Sequence, residues 1–99
     1  MSQVAQVIAQ QIGNRAFLML GASNLLGGDN WLSFRIKGCP TINTVKVTLN
    51  PMDTYDMEFQ KVTRRGVDVK VKVVSEVNGV YFDQLCDVIE SRTGLYTSI

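Results

Sequence analysis

Tyr55-Asp-Met-Glu-Phe-Gln-Lys-Val-Thr-Arg-Arg-Gly-Val-Asp-Val-Lys-Val-Lys-Val73 carries the clearest structural signal in the chain. Tyr55, Met57 and Phe59 alternate with Asp56, Glu58 and Gln60, and Val67, Val69, Val71 and Val73 alternate with Asp68, Lys70 and Lys72. Period-two alternation on both sides of Arg64-Arg65-Gly66 reads as a β-hairpin with one dry and one wet face. Its loop reads as three residues, with Gly66 in the left-handed position. The valines then point into the core. Val62 falls out of phase with Met57 and Phe59, which predicts a bulge or strong twist near Lys61.

The same hairpin concentrates charge. Residues 61–72 hold five of the ten basic residues (Lys61, Arg64, Arg65, Lys70, Lys72) against one acid, Asp68, a local net of +4. The other eighty-seven residues carry five basic and eight acidic groups, a net of −3. A chain with an overall charge of +1 is therefore polarised.

Working outward, Leu32, Phe34 and Ile36 alternate with Ser33, Arg35 and Lys37, and Val45, Val47 and Leu49 oppose Lys46 and Thr48. These are two further strands, bounded by Gly38-Cys39-Pro40 and Asn50-Pro51-Met52-Asp53 turns. Residues 3–12 place Val4, Val7, Ile8 and Ile12 at helical spacing opposite Gln3, Gln6 and Gln10, with Ser2 as N-cap and Gly13-Asn14 as stop. Ala16 to Leu20 reads as a short buried strand, and residues 21–30 as a loop containing Gly27-Gly28. A closing helix is predicted from about Val80 to Arg92, capped by Asn78 and stopped by Gly94, with Tyr81, Leu85, Val88 and Ile89 inward. The expected fold is a single two-layer α+β domain over residues 1–99. It is an antiparallel four- to five-stranded sheet with an N-terminal and a C-terminal helix packed on one face, in the order α-β-β-β-β-β-α.

Ninety-nine residues suffice for one core. No apolar run approaches the ~20 residues of a membrane span, and the N-terminus lacks the features of a secretory signal. The expectation is a cytoplasmic protein. Cys39 and Cys86 are far apart in sequence and read as free thiols. With no histidine and no Cys-x-x-Cys pair, neither a metal site nor a cofactor is expected.

The same absence removes the commonest general acid–base residue. Asp53 and Asp56 bracket Thr54-Tyr55, but Asp53 sits where a turn wants an Asx side chain, and Asp56 belongs to the wet face. Gly27-Gly28 lacks a phosphate-cradle pattern. No enzyme is expected.

Binding is the remaining class. Arg35, Lys37, Lys46, Lys70 and Lys72 are expected on the wet face, joined at the hairpin by Lys61, Arg64 and Arg65. A solvated face with cross-strand pairs such as Lys46 with Glu58 is one reading; a docking face for an anionic partner is the other. A dedicated nucleic-acid binder would be more basic than a pI near 7.8 and would carry stacking aromatics, of which Trp31 is the one wet-face candidate. Leu25 and Leu26, with Trp31 at the loop exit, either close the core edge or anchor a partner.

Gly13-Asn14-Arg15-Ala16-Phe17, Met19, Gly21-Ala22 and Asn24 carry a resemblance. It continues through Leu32-x-Phe34, Val45 to Leu49, Asp53-Thr54-Tyr55, Glu58-Phe59, Gly79-Val80-Tyr81 and Thr93-Gly94-Leu95. Together they resemble a family of short, largely uncharacterised proteins of tailed phages and mobile elements. The resemblance implies a genomic setting and a host-cell cytoplasm, not an activity or site residues. This chain has Ser23 where a basic residue often follows Gly-Ala in that family.

The functional expectation is a small non-enzymatic interaction protein that binds a host or phage protein complex. A counter-defence inhibitor of anti-CRISPR or anti-restriction type would be of this kind. Its partner would offer an acidic surface, with homo-oligomerisation left open and no membrane contact. The alternative is a nucleic-acid-binding accessory protein using the basic hairpin and sheet face.

Overall fold

A computed structural model describes residues 3–97. Two helices open the chain, α1 (Gln3–Ile12) and α2 (Asn14–Leu20), with Gly13 at φ 90° breaking the backbone between them. The second corrects the expected strand at Ala16–Leu20. That run contains Ala, Leu and Met, which favour helix, and no β-branched residue. Ala16 and Leu20, four apart, are both buried, while Leu18 is 81% exposed. Gly21 ends the helix at φ 61°, and the Ala22 N–H donates to Phe17 O at 2.9 Å. Phe17 meets Phe34 edge to face at 5.1 Å.

The expected loop after it contains the first strand, β1 (Ser23–Gly27). The sheet continues through β2 (Trp31–Arg35), β3 (Thr44–Leu49), β4 (Tyr55–Arg65) and β5 (Asp68–Val80). All neighbours are antiparallel and the order is β1-β2-β3-β4-β5, an open meander with β1 and β5 at its edges. The domain is α+β, with helices at both ends of the chain packed on one side of the sheet.

The core lies between the layers. Ala5, Ile8, Ile12, Ala16 and Leu20 come from the first two helices; Leu32, Phe34, Val45, Val47, Tyr55, Met57 and Phe59 come from the sheet. Each sheet set occupies alternate positions of its strand, as the alternation requires.

The C-terminal helix starts later than its apolar pattern suggests. β5 runs to Val80, Asn78 lies within it and caps nothing, and a 3₁₀ turn (Phe82–Gln84) precedes α3 (Leu85–Thr93). The Tyr81 N–H donates to Gln84 Oε1, and the Tyr81 ring is exposed rather than inward. Leu85 and Ile89 are buried and Gly94 ends α3 at φ 73°, both as expected. The Ser2 cap lies outside the described residues.

At the β3–β4 turn the Asx role falls to Asn50, not Asp53. Asn50 Oδ1 accepts from the Met52 and Thr54 N–H groups at 2.9 and 3.3 Å, and Asp53 takes φ 60°. Asp56 accepts from Asn50 Nδ2 at 3.1 Å and from the Gly79 N–H at 3.3 Å, so it fastens this turn to β5.

Candidate functional site: a two-faced β-ribbon

β3 pairs with β4 only from Tyr55 to Gln60. Beyond Gln60, β4 and β5 continue alone for about five residues per strand, about 17 Å at the usual rise. Arg65 pairs with Asp68, so the loop is two residues, Gly66 and Val67, rather than three. Gly66 holds φ 61°, the left-handed position expected of it. The described helices do not reach this ribbon, and residues 63–74 are exposed on both faces.

The ribbon's base is fastened by one side chain. Asn43 precedes β3, and its amide bonds both backbone groups of Val62: Oδ1 accepts from the Val62 N–H, and Nδ2 donates to Val62 O, each at 2.8 Å. The Asn43 N–H also donates to Gln60 O at 2.9 Å. On the other side the Lys61 ammonium donates to Pro40 O at 3.2 Å.

Register decides which chemistry each face carries. Phe59 pairs with Ser75 but Gln60 pairs with Val73, so Val74 is an extra residue in β5. A bulge of one residue transfers every following side chain to the other face. The irregularity expected near Lys61 exists, but β5 supplies it and β4 stays in phase. Val62, Arg64, Val69, Val71 and Val73 therefore lie on the outer face, away from the helices, in the pairs Val62–Val71 and Arg64–Val69. Lys61 with Lys72, Thr63 with Lys70, and Arg65 with Asp68 form the helix-side face.

This corrects two expectations. Val67, Val69, Val71 and Val73 do not enter the core: Val67 is 99% and Val71 56% exposed. Lys70 and Lys72 do not share a face with Arg35 and Lys46.

Arg35 and Lys46 do project from the outer face. Its rows run Ser23, Arg35, Thr44, Gln60, Val73 and Leu26, Ser33, Lys46, Glu58, Glu76. Lys46 stands opposite Glu58 as expected, and its ammonium lies 5.0 Å from the Trp31 ring centroid. Lys37 lies beyond β2, its N–H donating to Leu20 O at the end of α2. The eight candidate basic residues thus form three groups: Lys61, Arg65, Lys70 and Lys72 on the ribbon's helix side, Arg64 with Arg35 and Lys46 outside, and Lys37 apart.

The apolar candidates belong to a strand. Leu26 faces Ser33 on the outer face at 60% exposure, while Leu25 falls in the irregular stretch between Ser23 and Leu26, where Asn24 takes φ 52°. Trp31 is half-buried; its indole covers Gly28, where an added Cβ would fall 2.0 Å from Nε1. Leu26, Arg35, Thr44, Val62 and Arg64 line one shallow groove joining this edge to the ribbon. Sequence reasoning missed Val62 and Asn43 as parts of the site. The phase break at Val62 was the available signal for the first; nothing local marks the second.

Both cysteines are free and half-buried. Cys86 Sγ lies 3.4 Å from Ile12 O, and burial pushes its thiol above the ordinary range. At Cys39 burial opposes ionisation, but hydrogen bonding with Thr41 and Ile42 and the charge of Lys61 outweigh it and lower the pKa. Among the described residues no group of three or more His, Cys, Asp or Glu is placed to hold a metal ion. No described helix is long and apolar enough to cross a membrane.

No family model, curated protein or solved structure matches the chain. The site's own geometry therefore carries the functional argument.

Proposed function

We propose that this chain acts by binding, as a small non-catalytic module that docks its β4–β5 ribbon on an acidic surface of a host or phage protein complex. In that reading it is encoded by a tailed phage or another mobile element and works in the host cytoplasm. Blocking a defence complex is the role this size and chemistry suit. The observation that carries the reading is the ribbon itself. An isolated two-stranded hairpin is marginal in water, and this one leaves Val69, Val71 and Val73 solvated beside Lys70 and Lys72. Exposed apolar surface next to concentrated charge is the composition of a docking element.

The test is affinity capture from nuclease-treated host lysate with the wild type and with Lys61, Arg65, Lys70 and Lys72 changed to Glu. A defined complex held by the wild type and lost by the variant is expected. Equal recovery by both proteins, or recovery only when nuclease is omitted, refutes a protein partner.

A second reading, a nucleic-acid accessory protein, is favoured by one feature: a two-stranded ribbon fits the major groove of duplex DNA. Lys61, Lys70, Lys72 and Arg65 would then meet phosphates, and affinity would fall steeply with salt. Replacing Lys70 and Lys72 with Ala would flatten the log–log slope by about 2.

A further inference from the structure

β5 ends the sheet, and its far edge is open along the ribbon. In an antiparallel pair alternate residues turn their N–H and C=O groups away from the partner strand. Residues 68–74 are exposed, and no described residue beyond β4 hydrogen-bonds to them. Exposed edges are usually blunted, often by lysine. Lys70 and Lys72 serve that purpose selectively, because they repel some strands and attract others.

A second copy is a poor occupant. Antiparallel pairing of two β5 strands centred on Val71 sets Lys70 against Lys72 twice, and like charges directly opposite destabilise. Pairing centred on Val73 runs into the Val74 bulge, beyond which the faces are exchanged. Pairing centred on Val69 or Lys70 sets Asp68 against Lys70 or Lys72, but it spans only residues 68–70 or 68–72 before the Gly66-Val67 turn, and the second of these also opposes Lys70 to itself. The other edge, β1, is Ser-Asn-Leu-Leu-Gly and has no charge to offer a lysine.

We propose that the open edge of β5, residues 68–74, receives by strand addition an extended partner segment in which acidic and apolar residues alternate. Its acids face Lys70 and Lys72, and its apolar residues face Val69, Val71 and Val73. The backbone bonds supply affinity and the alternation supplies specificity. This rests on the ribbon-docking reading and specifies the chemistry of the partner. Charge complementarity carries it, since from Val69 to Val73 the strand offers cations on one face and valines on the other, with Asp68 standing opposite Arg65 at the tip of the ribbon.

The probe is a capped peptide of about eight residues with strictly alternating Glu and Val, within ordinary strand length. The control has the same composition as one Glu block and one Val block. Amide exchange and ¹⁵N–¹H spectra of the full chain are followed during titration. The alternating peptide is expected to slow exchange at alternate amides within 68–74, and the block peptide to bind about tenfold more weakly. Changing Lys70 and Lys72 to Glu is expected to abolish this and confer binding of an alternating Lys–Val peptide. Both positions are exposed, and circular dichroism verifies that the variant keeps its fold.

Four results overturn the inference: no protection on β5, equal binding of the block peptide, a wild-type dimer with β5 amides already protected, or the same perturbation produced by duplex DNA and not by peptide. Lysate capture with an unprotected β5 leaves docking standing and removes strand addition. Edge protection by the peptide without capture of any complex does the reverse.

Discussion

Asn43→Ala should loosen the ribbon while leaving the core nearly intact. The side chain makes two bonds of 2.8 Å to the Val62 backbone, two residues beyond Gln60, the last residue of β4 that β3 reaches. Each such bond contributes about 1 kcal/mol net, and water recovers part of it at a half-buried site, so the expected loss is about 1–2 kcal/mol. If the ribbon opens as a local unit, its amides should exchange about 5–30-fold faster. Amides of Val45, Val47 and Met57, which lie in the sheet's core, should change less. Asn43→Asp keeps the acceptor for the Val62 N–H but sets a carboxylate oxygen against Val62 O, so it should loosen the ribbon at least as much as Ala. Native-state hydrogen exchange read residue by residue is the assay. Equal acceleration at Val62 and Val47 would rule out a separately opening ribbon, because the ribbon would then share one cooperative unit with the core. Unchanged exchange at Val62 would refute the fastening role of Asn43.

Val71→Ser, on the exposed ribbon, should change stability by within about 0.5 kcal/mol, whereas Phe59→Ala, fully buried, should cost about 3–5 kcal/mol; urea unfolding compares them, and a large loss at Val71 would mean the valines are packed. Gly28→Ala should cost about 1–3 kcal/mol by overpacking against Trp31, and the emission of the chain's single tryptophan should shift as the indole leaves its place beneath Lys46. Burial raises Cys86 above its ordinary 9.0 and Tyr55 above its ordinary 10.0. The unfolded chain therefore releases these protons first, so the stability they contribute is complete below the ordinary values and declines as pH rises through them; urea midpoints followed upward from about pH 8 should fall, with Cys86→Ala flattening the first part of the decline. Cys39, with its lowered pKa, should be alkylated by iodoacetamide faster than Cys86 at neutral pH.

Much of the fold is legible locally. Leu32 and Phe34, Val45 and Val47, and Tyr55, Met57 and Phe59 are buried as their alternation requires, and the register sets Lys46 opposite Glu58. Gly66 and Gly94 both hold the left-handed geometry their positions imply. The run Ala16–Leu20 misleads because five apolar residues have no periodicity long enough to separate strand from helix; packing of Ala16 and Leu20 against the core settles it. β1 is hidden for another reason, since Ser-Asn-Leu-Leu-Gly has turn composition and becomes a strand only by pairing with β2.

The site divides along the same line. Alternation alone sets Lys70 and Lys72 on one face of a strand and Val69, Val71 and Val73 on the other, because side-chain direction repeats with a period of two. It could not determine which face meets the helices. The valine-rich run 67–77 continues in phase through Val73, Ser75 and Val77, yet the extra residue Val74 exchanges the faces, and nothing in a Val-Val pair announces a bulge. Nor does alternation say how far the helical layer extends. In the folded chain β4 and β5 outrun β3 and the helices, which leaves a strand patterned like core exposed as a ribbon. Alternation is a local property of the backbone, whereas burial depends on which other elements reach that part of the sheet.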